Sequence, residues 1–412
     1  MKKGWEIKKL GEVCSIIGGG TPSKKNSKFY DGEIHWATVR DMKQEVIQNT
    51  EFKITKEAVK RSSTNIIPRR NVIISTRVGL GKVCLTEIDT AINQDLRGII
   101  PNNEKLLDVP FLFYWFKSIS HLIIAEGKGA TVQGITLPFI KNIQIPLPPL
   151  PEQQRIVSIL DEAFAVIDKA KANAEQNLKN ARELFESYLQ GVFEKKGEGW
   201  EEKKLKDVCE RITDGTHQTP KYFDRGFIFL SSKNVTSGKI DWDNVKYIDE
   251  KQHIEMQKRV SPKFGDILLA KNGTTGVAAM VDRNVTFDIY VSLALLRSKG
   301  EIIPEFLLHF INSPVAKNQF NKRLKGIGVP NLHLQEIREV DIFYPRIKEE
   351  QQTIVRQLDA LVAETQKLEA VYQQKIANLE ELKKSILKKA FAGELPLGTI
   401  TEHVELAKQR TD

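Results

Sequence analysis

Cysteine is scarce. Cys14, Cys84 and Cys209 are the three in 412 residues, and none belongs to a CxxC pair. Neither a disulfide framework nor a thiolate zinc site is expected. Long apolar runs are also missing. FLFYWF at 111–116 is the longest, far short of the ~20 residues that cross a bilayer. The start, MKKGWEIKKL, carries charge but not the apolar stretch of a signal peptide. These absences predict a cytoplasmic, reduced chain. Catalytic signatures are lacking too: no GxxxxGK[ST] loop, no HExxH, no GxSxG. Gly79-Leu80-Gly81 lacks the third glycine of a dinucleotide fingerprint and lies in a strand–turn–strand context. Pro148-Pro149 is followed by Leu150, not by the aromatic residue of an amino-methyltransferase motif. The seven histidines are scattered. The chain is expected to have no catalytic residues, no metal site and no cofactor of its own.

What the chain does have, it has twice. GWEIKKLGEVC at 4–14 returns as GWEEKKLKDVC at 199–209, identical at eight of eleven positions. EQQRIVSILDEAF at 152–164 returns as EQQTIVRQLDALV at 350–362. A period near 200 residues is far too long for a solenoid, whose units run ~20–50 residues. It means two copies of a whole module. The scaffold stretches repeat, as in FLFYWFKS at 111–118 and FLLHFINS at 306–313, whereas the loops differ: TPSKKNSKFYDGEIHWATVRDM against THQTPKYFDRGFIFLSSKNV. Two similar but unequal binding units suit a target with two unequal halves.

Charge follows the modules. The formal total is +9, of which +8 falls in residues 1–146 and +3 in 199–345, against −2 in 147–198 and 0 in 346–412. Excess positive charge held by the modules suits a polyanion.

Within each module, short runs such as IHWATV, NVIIST and KVCL read as strands. A helix is expected from Pro110 through FLFYWFKSISHLI, since proline suits the first helical turn. IKNIQIPL closes the first module as a strand, and EIREVDIFYP closes the second. Residues 147–198 and 346–396 read instead as long helices. Ile156, Leu160, Ala163, Ile167, Leu178 and Leu184 form a heptad seam, and Ile354, Leu358, Leu361, Leu368, Ile376 and Leu382 form its counterpart. A helix of ~60 Å with one narrow apolar seam needs another helix, and its own repeat mate is the obvious partner. The expected fold is α+β: two similar globular domains at 1–146 and 199–345, separated by two long helices in an antiparallel, pseudo-two-fold coiled coil, with a polar tail at 397–412.

GGGTPSKKNSKFYDGEIHWATVRDM, ITDGTHQTPKYFDRGFIFLSSKNV and the helix lead-in IPLPPLPEQQRIV together resemble the specificity (S) subunits of Type I restriction–modification systems. The resemblance runs from Trp5 to about Leu395. One departure is that YPRIKEEQQ leads into the second helix without the PLPP run. The resemblance implies that each module is a target-recognition domain reading one half of a split DNA sequence. It implies that the helices set the unread gap and dock methyltransferase (M) subunits, two in number. S-adenosylmethionine, ATP and Mg would belong to M and restriction (R) subunits, and this chain would be non-catalytic. The alternative is a coiled-coil adaptor that binds two protein partners and no DNA.

Base reading needs donors and acceptors on loops, and phosphate anchoring needs cations and hydroxyls. In module one the candidates are Thr21, Ser23, Lys24, Lys25, Arg40, Arg77, Lys82, Lys128, Thr131 and Gln133. In module two they are Thr216, His217, Gln218, Lys221, Lys233, Asn234, Lys271, Asn272, Lys325 and Asn331. Trp5, Trp200 and residues 111–116 are expected in cores.

Overall fold

The computed structural model describes residues 4–127, 134–195, 197–236, 238–273, 275–324 and 331–395. It divides into two compact units, one made of residues 1–174 and 374–412 and the other of 175–373. Each long helix gives half its length to each unit, so the units cut across the segments read from sequence.

In the first unit the strands are β1 (Glu6–Lys9), β2 (Cys14–Gly18), β3 (Ile34–Ala37), β4 (Val46–Ile47), β5 (Phe52–Ile54), β6 (Asn65–Ile67), β7 (Val72–Ser75), β8 (Val83–Thr86), β9 (Thr90–Ile92), β10 (Leu96–Pro101) and β11 (Gln144–Leu147). They form sheets ordered β2-β10-β7-β8-β4, β5-β3-β9-β6 and β1-β11. Every side chain of β7 is buried, the pattern of a strand covered on both faces. The helices are α1 (Leu10–Val13), α2 (Lys56–Lys60), α3 (Val109–Ser118), α4 (Ser120–Glu126), α5 (Leu137–Asn142) and the long α6 (Leu150–Glu194). The Asp108 carboxylate caps α3 by accepting from the Phe111 amide, so the helix starts one residue before the expected proline. Phe111 to Phe116 are all buried. Ile145 and Leu147 alternate inward along β11, as expected of a closing strand.

The second unit repeats the plan with β12 (Trp200–Lys204), α7 (Leu205–Val208), β13 (Cys209–Asp214), β14 (Phe227–Leu230), β15 (Lys246–Ile248), α8 (Glu250–Arg259), β16 (Ile267–Ala270), β17 (Ala278–Met280), β18 (Phe287–Ile289), β19 (Leu293–Ser298), α9 (Pro304–Asn312), α10 (Pro314–Arg323), α11 (Leu334–Arg338), β20 (Asp341–Pro345) and the long α12 (Lys348–Ala392). Its sheets run β13-β19-β16-β17, β15-β14-β18 and β12-β20. The three cysteines are buried and free. Trp5 and Trp200 are only half-buried, each packed at the edge of its core.

In each unit the long helices pair antiparallel. In the first, Lys171 reaches Glu380 at 2.6 Å and Lys383 reaches Asp168 at 2.9 Å. Ile156, Leu160, Ala163 and Ile167 pack into the same cluster as Leu379, Leu382 and Ile386. In the second, Leu189 and Phe193 share a cluster with Ile354, Val355 and Leu358. Leu178, Leu361 and Ile376 are partly buried.

Two seam positions differ from the sequence reading. Leu184 is 69% exposed and Leu368 is 45% exposed. Arg182 and Glu369 make a two-pronged ion pair at 3.0 Å at that level. On α12 the neighbouring Glu369, its side chain 26% exposed, lies further in than Leu368. On α6 the inward series passes from Leu178 to Phe185, a full heptad, and on to Leu189 and Phe193.

Each globular part is tied to its long helix by a repeated polar contact. Tyr114 donates to Asp161 at 2.5 Å, and at the equivalent position His309 meets Asp359 at 2.8 Å. Burial and the Asp161 carboxylate push the Tyr114 phenol far above its ordinary range.

Candidate nucleic-acid interface

In the first unit, three loops meet at the ends of β2, β7 and β10. The 19–25 loop is anchored by backbone. The Gly20 amide donates to the Ile92 carbonyl at 3.0 Å, and the Trp36 indole donates to the Gly20 carbonyl at 3.1 Å. The approach is so close that a Cβ on Gly19 would lie 2.2 Å from the Ile92 oxygen. Beyond this anchor Thr21, Ser23, Lys24 and Lys25 are exposed, and Thr21 donates to Gln94. Arg77 faces Asp95 at 3.6 Å. The Ile135 amide donates to the Thr76 carbonyl at 2.9 Å, which brings Gly134 against Arg77. Exposed Lys82 ends the Gly79 turn, against which Val39 packs beside exposed Arg40. Thr21, Arg77, Lys82 and Arg40 thus gather at one end of the unit. Lys128, Thr131 and Gln133 lie outside the described residues.

The second unit builds the same corner with other side chains. A Cβ on Gly215 would lie 1.8 Å from the Ile289 oxygen. Thr216 bridges to the strand end, donating from its amide to Ile289 and accepting from the Val291 amide, both at about 3 Å. His217, Gln218, Lys221 and Lys233 are exposed. The Lys221 backbone is held at both ends by the Gln252 amide, at 2.9 and 3.0 Å. Asn272 and Asn331 form an isolated β-bridge. Lys325 lies outside the described residues.

Two expected contacts are corrected. Lys271 is 5% exposed, and its Nζ sits 3.1 Å from Asp214. Asn234 is 7% exposed and accepts from the Ser231 amide while donating to the Asp241 and Asn244 carbonyls. Both are buried and committed internally. Asp214, itself buried, gathers Lys271, Arg259 and His217. Burial alone would raise its carboxyl, but hydrogen bonds from Arg259 and Lys271 hold it below the ordinary carboxylate value. Sequence reading missed Asp214, Arg259 and Gln252, because their role depends on which loop the fold sets beside them. Burial pushes all three cysteine thiols up to about 12, which leaves no activated thiolate. Among the described residues no group of three or more His, Cys, Asp and Glu side chains is placed to hold a metal ion. No described helix is long and apolar enough to cross a membrane.

Two copies of one scaffold, each presenting basic and polar loops of its own at the same strand ends, match what the sequence comparisons find. The defining pattern of the Type I restriction modification DNA specificity domain covers residues 2–180 and again 197–380. The chain belongs to that family. Its role is DNA sequence specificity, and the match does not favour a protein-only adaptor. Among its relatives, the MjaIX specificity subunit of Methanocaldococcus jannaschii is 25% identical over 95% of this chain and 94% of its own length. The EcoKI specificity subunit of Escherichia coli K12 is 24% identical over 98% and 92%. A chain solved in a study of complex assembly and conformational transition of the type I restriction–modification system shares the fold, with a TM-score of 0.78 at 22% identity, over 96% of this chain and 99% of that one.

Proposed function

We propose that this specificity chain reads one half of a split, asymmetric DNA site with each module, and that the paired helices fix the number of unread base pairs between the halves. The observation that carries this reading is the repeat itself. Gly19 and Gly215 anchor equivalent loops on equivalent strands, and the exposed side chains beyond them differ: Ser23, Lys24 and Lys25 in one, His217, Gln218 and Lys221 in the other. A shared scaffold with divergent exposed loops is how one fold reads two sequences. In this proposal the chain supplies no catalysis and works in the cytoplasm beside two methyltransferase subunits, with restriction subunits joining for cleavage. S-adenosylmethionine, ATP and Mg belong to those partners. The test is single-molecule sequencing of DNA from cells that express the chain with its neighbouring methyltransferase, scored for methyladenine. A split motif with two unlike halves and a fixed gap is expected. A stable complex that leaves no new methylation overturns the proposal.

A further inference from the structure

Arg97 lies on β10 between Gly18 of β2 and Ile74 of β7. It is partly exposed, and its Nε is buried without a hydrogen-bond partner. Among the described residues it makes no ion pair. With no accessible surface, Nε cannot itself meet an outside acceptor; the partly exposed remainder of the side chain is what such an acceptor would meet. Space has been kept for the head group, since a Cβ on Gly18 would come within 2.6 Å of Arg97 Nη1.

The second module settles the same spot differently. Strand register makes Asp214 the counterpart of Gly18, and Ala294 the counterpart of Arg97. Lys271, which stands where the first module has Thr76, supplies the cation there, and Asp214 neutralises it at 3.1 Å. Among the described residues, the first module therefore leaves Arg97 without a carboxylate partner, where the second gives its cation one in Asp214. Arg97 also sits two and three residues past Asp95 and Gln94, which hold Arg77 and Thr21.

We propose that Arg97 reads the acceptor edge of a guanine in the half-site of the first module. Arginine pairs with guanine O6 and N7 through two parallel donors, an arrangement that needs a fixed fork. A side chain rooted in a central strand provides that fixity. A phosphate contact would be served as well by a loop lysine. The proposal rests on the first module being a DNA reader.

The experiment uses the full chain in complex with its methyltransferase. Wild type, Arg97→Ala and Arg97→Lys are compared on duplexes substituted at each position of both half-sites, across a salt series. Arg97→Ala is expected to relax one guanine position in the first half by on the order of 10-fold or more, with no rescue by lysine and no change in the second half. A uniform loss at all sequences, with a shallower salt dependence, assigns Arg97 to phosphate and overturns base reading. An unchanged preference overturns any contact. If Arg97→Ala fails to assemble, 7-deazaguanine placed in the wild-type site carries the test. Loss at one guanine of the first half supports the proposal, and tolerance at every guanine there overturns it. A wild-type complex with no split motif sinks the DNA reading itself, and this proposal with it.

Discussion

Gln153 and Gln351, one near the start of each long helix, make the same three hydrogen bonds. Gln153 accepts from the Asp108 amide and donates to the Leu106 and Pro148 carbonyls. Gln351 accepts from the Ile303 amide and donates to the Glu301 and Pro345 carbonyls. Both side chains are fully buried. This is why EQQ recurs: its first glutamine satisfies three backbone groups where the globular part meets the helix.

Gln153→Ala and Gln351→Ala should each lower stability by about 3 kcal/mol, because buried backbone groups lose their partners. Denaturant unfolding of the full chain checks this. A loss well under about 1 kcal/mol in either variant would show that water replaces the amide.

Asp214→Asn should cost about 3–5 kcal/mol by leaving Lys271 charged, buried and unpaired. The Asp214 carboxyl is held below its ordinary value. Its share of stability is therefore present above that value and lost as pH falls through the lower folded one. Acid unfolding of the wild type should show a component below the ordinary carboxylate range that Asp214→Asn lacks. Superimposable acid limbs would contradict the assignment.

Gly19→Ala and Gly215→Ala should displace their loops, since the added methyl would sit 2.2 and 1.8 Å from backbone oxygens. The expected outcome is a loss of sequence reading in the matching half-site, with the other half intact. Methylation of substituted duplexes reads each half separately. Equal damage to both halves would mean that the loops do not act independently.

Leu184→Gln should change stability by less than about 0.5 kcal/mol, because the side chain is exposed. Leu189→Ala should cost about 2–5 kcal/mol by opening a cavity in a packed core. Thermal melts of both variants test the seam. Equal effects would return Leu184 to the seam.

Removing seven residues from each long helix at paired positions keeps the heptad phase and shortens the pair by ~10 Å. The unread gap should shrink by about three base pairs. Sequencing of methylated sites decides, and an unchanged gap removes the spacer role.

Much of the architecture was legible because it depends on short-range pattern. The twofold repeat, the heptads from Ile156 to Ile167 and the buried aromatic run at 111–116 all follow from periodicity and composition. Periodicity could not place Leu184 and Leu368, since the Arg182–Glu369 pair at that level forms between residues 187 positions apart. Candidates such as Lys24, Arg77 and His217 were chosen by residue type, and the fold leaves them exposed. Type alone could not separate them from Lys271 and Asn234, which the fold buries.

The sequence by itself determined that there are two copies of a basic module, each followed by a helix that cannot bury its seam alone. That is a matter of local spacing and charge, which the chain carries in any conformation. Tertiary structure alone decided which cations find a carboxylate partner. Lys271 is paired because β13 brings Asp214 to it, whereas Arg97 faces Gly18 and makes no ion pair among the described residues. Charge neutralisation depends on ångström distances between strands far apart in sequence, and those distances exist only once the sheet has formed.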